Sequence, residues 1–148
     1  MKKTSINISE IIGKTITDIR YKLEYNVGDL DYFESYITLN SKITINFPFN
    51  DGAHIVKPKG KIKKLDKELQ KLLIGFTIID ILIPYFNDKV DESEKPFLQL
   101  NNSMFIKEIN TAPHGTGAAD LWIYNINEFK NKLTDNDLRS ITGNKITM

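Results

Sequence analysis

The segment Thr111-Ala112-Pro113-His114-Gly115-Thr116-Gly117 is the most evident place for chemistry in this sequence. A histidine changes charge near neutral pH and so can act as an acid or a base. Flanking glycines let consecutive backbone N–H groups turn toward an anion. His114, Gly115, Thr116 and Gly117 are therefore a candidate ligand loop, suited to a small-ligand-binding protein or an enzyme. The order H-G-T-G nevertheless matches neither GxxxxGK[ST] nor GxGxxG, the spacings that cradle phosphates. A Pro/Gly-rich turn feeding a strand over 121–125 accounts for the same residues, and it is the preferred reading.

Asp18 and Asp80 are the second candidate. They fall at equivalent places in two similar stretches, IIGKTITDIRY (11–21) and LIGFTIIDILI (73–83), which match at six of eleven positions at an offset of 62. Two carboxylates brought to one axis could share a proton, as paired acids do in some hydrolases. Asp18 has no other catalytic companion nearby in sequence. A strand aspartate can equally accept hydrogen bonds from a neighbouring turn, and this structural role is preferred. Other chemistry is excluded more simply. His54 and His114 are the only histidines and stand in no HxH or HExxH spacing, so no metal site or cofactor is expected. Asp88, Asp91, Ser93 and Glu94 lack the glycine and closing glutamate of a calcium loop. There is no GxSxG, and no cysteine to serve as a thiol nucleophile or to form a disulfide.

Two charge clusters remain. Lys57, Lys59, Lys61, Lys63, Lys64, Lys67 and Lys71 form a basic run without interleaved aromatics or arginines, which reads as a solvated face rather than a nucleic-acid site. Acidic residues recur between strand and hairpin in both halves: Asp29, Asp31 and Glu34 between Tyr25 and Tyr36, then Asp88, Asp91, Glu92 and Glu94 between Tyr85 and Phe97. Solvated loop carboxylates explain them without function. The functional alternative is an acidic surface that steers and docks a cationic protein partner.

The elements that must position these residues follow from the repeat. YITLNSKITI (36–45) also aligns with FLQLNNSMFI (97–106), at an offset of 61. Each copy reads as helix, strand and hairpin. The first helix is expected over 9–12 with Ser9 as N-cap. The second is expected from Ile62, Leu65, Leu69, Leu72 and Leu73 at helical spacing. Gly13 and Gly75 then fit left-handed helix ends. Ile19, Tyr21, Leu23 and Tyr25 alternate with polar residues as a half-wet strand, whereas 77–85 is apolar on both faces and belongs at the centre of a sheet. A three-residue loop at 40–42 places Leu39 opposite Ile43 and Ile37 opposite Ile45, and the same logic pairs Leu100 with Met104 and Leu98 with Ile106. The connection over 50–61 carries a short strand at 54–57. Asn127 is expected to cap a helix with inner face Ile126, Phe129 and Leu133. Thr134 with Asp137 resembles a capping box for a last short helix ending at Gly143.

The expected fold is thus α+β: a mostly antiparallel sheet of six to eight strands with a pseudo-twofold axis, built from tandem helix–strand–hairpin repeats at 8–49 and 62–110. An extension at 111–148 adds short C-terminal helices. A chain of 148 residues makes one domain, able to bury roughly 68–70% of its unfolded surface. A net charge of +1 gives no bulk attraction to nucleic acid. The N-terminus lacks the apolar core of a signal peptide, and the most apolar stretch, 72–86, is interrupted by Asp80 and Pro84. A soluble, cytoplasmic protein without membrane association is expected.

The pattern LIGxTIxDI followed by LxLNN, with acidic loops on a small cysteine-free chain, resembles the immunity proteins of bacterial polymorphic toxin systems, including contact-dependent growth inhibition. The similarity covers the repeat blocks and not the last 25 or so residues. It implies a non-enzymatic inhibitor that binds a cognate toxin domain, often a nuclease, and covers its active site or a partner site. Aromatic anchors for such binding are Tyr32, Phe33, Tyr36, Phe86 and Phe97. The rival reading from sheet architecture is a structural subunit that pairs through strand edges. Oligomeric state is not specified by the sequence.

Overall fold

A computed structural model describes residues 4–26, 29–110 and 119–143. The chain runs β1 (Ser5–Asn7), α1 (Ile8–Ile11), β2 (Ile16–Asn26), β3 (Asp29–Leu39), β4 (Ile43–Asn46), β5 (Gly52–His54) and β6 (Lys61–Lys64). It continues through α2 (Lys67–Leu73), β7 (Ile78–Phe86), β8 (Lys89–Val90), β9 (Phe97–Leu100), β10 (Phe105–Asn110), β11 (Ala119–Tyr124), α3 (Ile126–Asp135) and β12 (Asp137–Ser140). The fold is mixed, with few short helices, and every strand pairing among the described residues is antiparallel.

The strands divide among three sheets rather than forming one. A four-stranded sheet has the order β4-β3-β2-β6. A six-stranded sheet has the order β11-β10-β9-β7-β12, with β8 also on β7, and β1 pairs with β5. Side-chain alternation explains the layering. On β7, Ile81 and Ile83 enter one buried cluster and Leu82 another; on β9 and β10, Leu98, Leu100 and Ile106 oppose Phe97 and Phe105 in the same way. The first cluster also takes Ile19, Ile37, Leu39 and Ile45 from the four-stranded sheet, so the two sheets face each other across it. The second cluster is roofed by Phe129 of α3. Burial on both faces is what the continuous apolar run of β7 requires.

The hairpin registers are those expected: Leu39 lies opposite Ile43, Ile37 opposite Ile45, and Leu98 opposite Ile106. The Leu100 N–H donates to the Met104 carbonyl at 2.9 Å. Gly13 and Gly75 hold φ values of 90° and 91°, a region that costs any L-residue with a Cβ. Between them the sheets meet at Thr15 and Thr77, whose hydroxyls lie 2.9 Å apart. Hydrogen bonds at this junction come in matched pairs. The Gly13 and Gly75 N–H groups donate to the Ile78 and Ile16 carbonyls, both at 2.7 Å. Asn40 and Asn101 each accept from a threonine N–H, at 2.9 and 3.0 Å, and return their own N–H to that threonine's carbonyl.

Several local expectations are corrected. The first helix is one residue earlier, and its N-cap is Asn7 rather than Ser9; the Asn7 N–H donates to the Glu10 carboxylate at 2.8 Å. The second helix begins at Lys67, because Ile62 pairs with Lys22 in β6. The short strand expected at 54–57 is β5, drawn earlier by its pairing with β1. Asn125, not Asn127, caps α3: its Oδ1 accepts from the Glu128 N–H at 2.9 Å, and the Glu128 carboxylate accepts from the Asn125 N–H at 3.0 Å. Thr134 lies inside α3, and Asp137 opens a strand instead of a last helix. The reason is tertiary: β7 has an edge to satisfy, and β12 pairs along Leu82–Tyr85.

Tyr124 presents a polar cost within this packing. Its ring lies in the second cluster, and its hydroxyl is buried without a hydrogen-bond partner among the described residues. Burial first, and then the nearby Glu128 carboxylate, push its pKa up. An acid with a raised folded-state pKa contributes stability below its unfolded pKa, near 10, and loses it as pH rises through the folded value. Tyr124→Phe removes the orphaned hydroxyl, so a change between zero and a gain of about 1 kcal/mol is expected at pH 7. Urea melts at pH 7 and pH 10.5 should show the variant losing less stability at the alkaline pH than the parent.

Candidate functional site

The β1–β5 ribbon, the turn joining β4 to β5, the middle of β3, the β8–β9 connection and β10 line an open cleft of about 1160 Å³. Its lining includes five carboxylates, Glu34, Asp51, Glu92, Glu94 and Glu108, against the single lysine Lys95 and His54. Phe49 is 44% exposed and lines it with Val90. One wall depends on close backbone contact: a Cβ on Gly52 would meet the Ile6 carbonyl oxygen at 2.2 Å.

Two ion pairs fasten the β8–β9 connection to β10. Glu94 accepts from Lys107 at 2.7 Å, and Lys95 donates to Glu108. Adjacent residues of a strand point to opposite faces. Lys107 accordingly lies 4.9 Å over the Phe97 ring of the helix-side cluster, while Glu108 reaches the four-stranded sheet and accepts from the Ser35 N–H at 2.8 Å. Lys95 also sits 4.9 Å over the ring of Phe49, which in turn packs edge-on to His54 at 6.4 Å. The charges of Glu94 and Glu108 are thereby matched. Glu34 accepts from the Tyr36 hydroxyl at 3.1 Å, and among the described residues no cation pairs with Glu34, Asp51 or Glu92.

The acidic residues singled out in the sequence therefore divide. Glu34, Glu92 and Glu94 come together at the cleft. Asp29, Asp31 and Glu34 are not in a loop: all belong to β3, where Asp29 and Asp31 pair with Asn26 and Glu24. The long β2–β3 pairing, ten positions with one bulge at Lys22/Leu23 and another at Ile16/Asp18, consumes the expected loop. Asp88 sits at the β7–β8 turn and binds Arg139 at 2.9 Å, and the Asp91 carboxylate turns inward to the Ser93 N–H at 3.0 Å. His114, Gly115, Thr116 and Gly117 lie outside the described residues. Of the aromatic anchors, Tyr36 and Phe97 are buried and Phe86 is 69% exposed; Tyr32 and Phe33 belong to β3, where Tyr32 pairs with Leu23 and Phe33 falls at the bulge.

Asp18 and Asp80 do not form a pair. Asp18 accepts from Arg20 at 2.7 Å. Asp80 is buried and accepts from the Ser140 hydroxyl of β12 and from the Ile81 N–H. The lysine run is exposed throughout, with Lys61, Lys63 and Lys64 on the edge strand β6, where charge discourages pairing with another chain. Among the described residues no cluster of His, Asp and Glu could hold a metal ion, and no helix is long and apolar enough to cross a membrane.

Sequence reasoning missed Phe49, Asn50, Asp51, Lys95 and Glu108. The available signal was Lys107-Glu108 inside the otherwise apolar strand FIKEIN, since a charge on a buried strand must be paired. Outside the cleft, Arg139 binds Asp88 and Asp137, both at 2.9 Å, and stacks 4.1 Å over Tyr85. The Arg139 hydrogen bond holds the Asp137 carboxyl below its usual range. A depressed carboxyl contributes stability above its unfolded pKa and loses it as pH falls through the folded value. The gap in unfolding midpoint between parent and Asp137→Asn should therefore be present at pH 7, close as pH drops below the ordinary carboxylate range, and shrink in high salt.

No family model, curated protein or solved structure matches this chain.

Proposed function

We infer that this chain is an immunity-type inhibitor: a cytoplasmic protein that binds a cognate bacterial toxin domain one-to-one and performs no reaction of its own. The observation that supports this most is the cleft. Carboxylates from β3 and from the β8–β9 connection line one open concavity beside exposed Phe49 and Val90, although the whole chain carries a net charge of only +1. Local negative charge of this kind raises the encounter rate with a basic patch, and apolar rim groups slow its escape. Glu34 and Glu92, which no described lysine or arginine neutralises, are the partner-contacting residues in this account. The matched hydrogen bonds about Thr15 and Thr77, with the sequence similarity at an offset of 62, favour a duplicated unit as scaffold.

The test is co-expression with the toxin-region product of an adjacent reading frame. Rescue of growth, a one-to-one complex by native mass spectrometry, and loss of both in Glu34→Lys/Glu92→Lys are expected. Growth arrest that the parent protein does not relieve would refute the assignment.

A further inference from the structure

We propose that Asn50 is a positioning residue that preforms the acidic rim of the cleft. Asn50 lies in the turn between β4 and β5, and its Nδ2 donates to two carbonyls of the β8–β9 connection, Asp91 at 3.2 Å and Glu94 at 2.9 Å. Those carbonyls bracket Glu92 and Ser93. Two carbonyl acceptors demand the nitrogen end of the amide, so the oxygen is the end that must face away. It is then buried, and Oδ1 has no partner among the described residues. A native protein rarely keeps a buried acceptor unsatisfied without a compensating use. Here the use is the double grip on the segment that carries Glu92.

The rest of the segment is anchored at its ends. The Asp91 N–H donates to the Pro84 carbonyl at 2.9 Å, and Glu94 and Lys95 are held by Lys107 and Glu108. Beside the Lys95–Phe49 contact, Asn50 ties the carbonyls on either side of Glu92 and Ser93 to the opposite wall, 41 and 44 residues away in sequence. With it, the rim is rigid before any partner arrives, and binding spends less on ordering the loop. The partner-contacting role of Glu92 rests on the function proposed above; the rigidity of the rim does not.

Amide hydrogen exchange on the free, full-length chain separates the two. Asn50→Asp keeps the shape and replaces the donor with an oxygen facing two carbonyls. Exchange at Asp91, Ser93 and Glu94 should rise about tenfold or more, while Ile81 and Ile106 in the sheet core change less than about twofold. Asn50→Ala should give the same pattern if the aspartate variant folds poorly. Unchanged exchange at the three rim amides would overturn the proposal, and so would an equal rise in rim and core, which would mark a general loss of stability. If the rim loosens but the toxin-domain association rate stays the same, Asn50 remains a positioning residue and Glu92 loses its assigned contact.

Discussion

Replacing Glu108 with alanine should destabilise the fold by about 3 kcal/mol, read as a lower urea midpoint with an unchanged slope. The carboxylate is buried and serves two donors at once, the Ser35 N–H at 2.8 Å and Lys95. Truncation takes an acceptor from an N–H on a fully buried residue, a loss of about 1–3 kcal/mol by itself. It also takes the counter-ion from Lys95. That lysine side chain retains 26% exposure, so it swings partly into water and its share falls below that of a fully buried charge. Glu108→Gln keeps an acceptor for Ser35 and should cost about half as much. A double-mutant cycle with Lys95→Met should then give a coupling above about 1 kcal/mol. A cost under 1 kcal/mol for the alanine variant would mean that the two sheets are not joined through this carboxylate.

Phe129→Ala should cost about 4 kcal/mol and detach α3. Phe129 is fully buried, stacked on Phe105 with centroids 3.8 Å apart and planes at 8°, and edge-on to Phe97 at 5.1 Å and 73°. Emptying a buried phenylalanine site costs about 3–5 kcal/mol, which includes the lost ring contacts. The helix has ten residues, too few to persist alone in water, so its fate follows the anchor. Thermal melts followed by circular dichroism at helix and aromatic wavelengths report both effects. Phe129→Leu should recover more than half of the loss, since it refills most of the volume. An alanine variant that melts within a few degrees of the parent would contradict the packing role.

Local features of this fold were legible in the sequence and non-local ones were not. The registers of Leu39 with Ile43 and Leu98 with Ile106 follow from apolar alternation around a short loop. Gly13 and Gly75 follow from the need for a left-handed helix stop. By contrast, 137–140 (DLRS) has little strand character of its own; it is a strand because β7 offers it an edge. KIKK at 61–64 reads as helix until β2 supplies a partner. The division into separate sheets is also invisible to period-2 patterning, which fixes faces but not neighbours. The cleft is the extreme case. Glu34, Phe49, Glu92 and Glu108 come from four separate parts of the chain, and no sequence window holds them together.

Under the proposed function, contact of Glu34 and Glu92 with a basic surface on a toxin domain governs association. It is tested most directly by the association rate of the chain with the co-expressed toxin-region product, measured by stopped flow at 50 and 500 mM salt (roughly 14 and 4 Å of screening length). The rate should fall at least about tenfold between the two salts. Glu34→Lys/Glu92→Lys should already be about tenfold slow at the lower salt, while Asp88→Lys, outside the cleft, should leave the rate within about twofold. A rate indifferent to salt and to the Glu34/Glu92 reversal, or one lowered equally by Asp88→Lys, would contradict it.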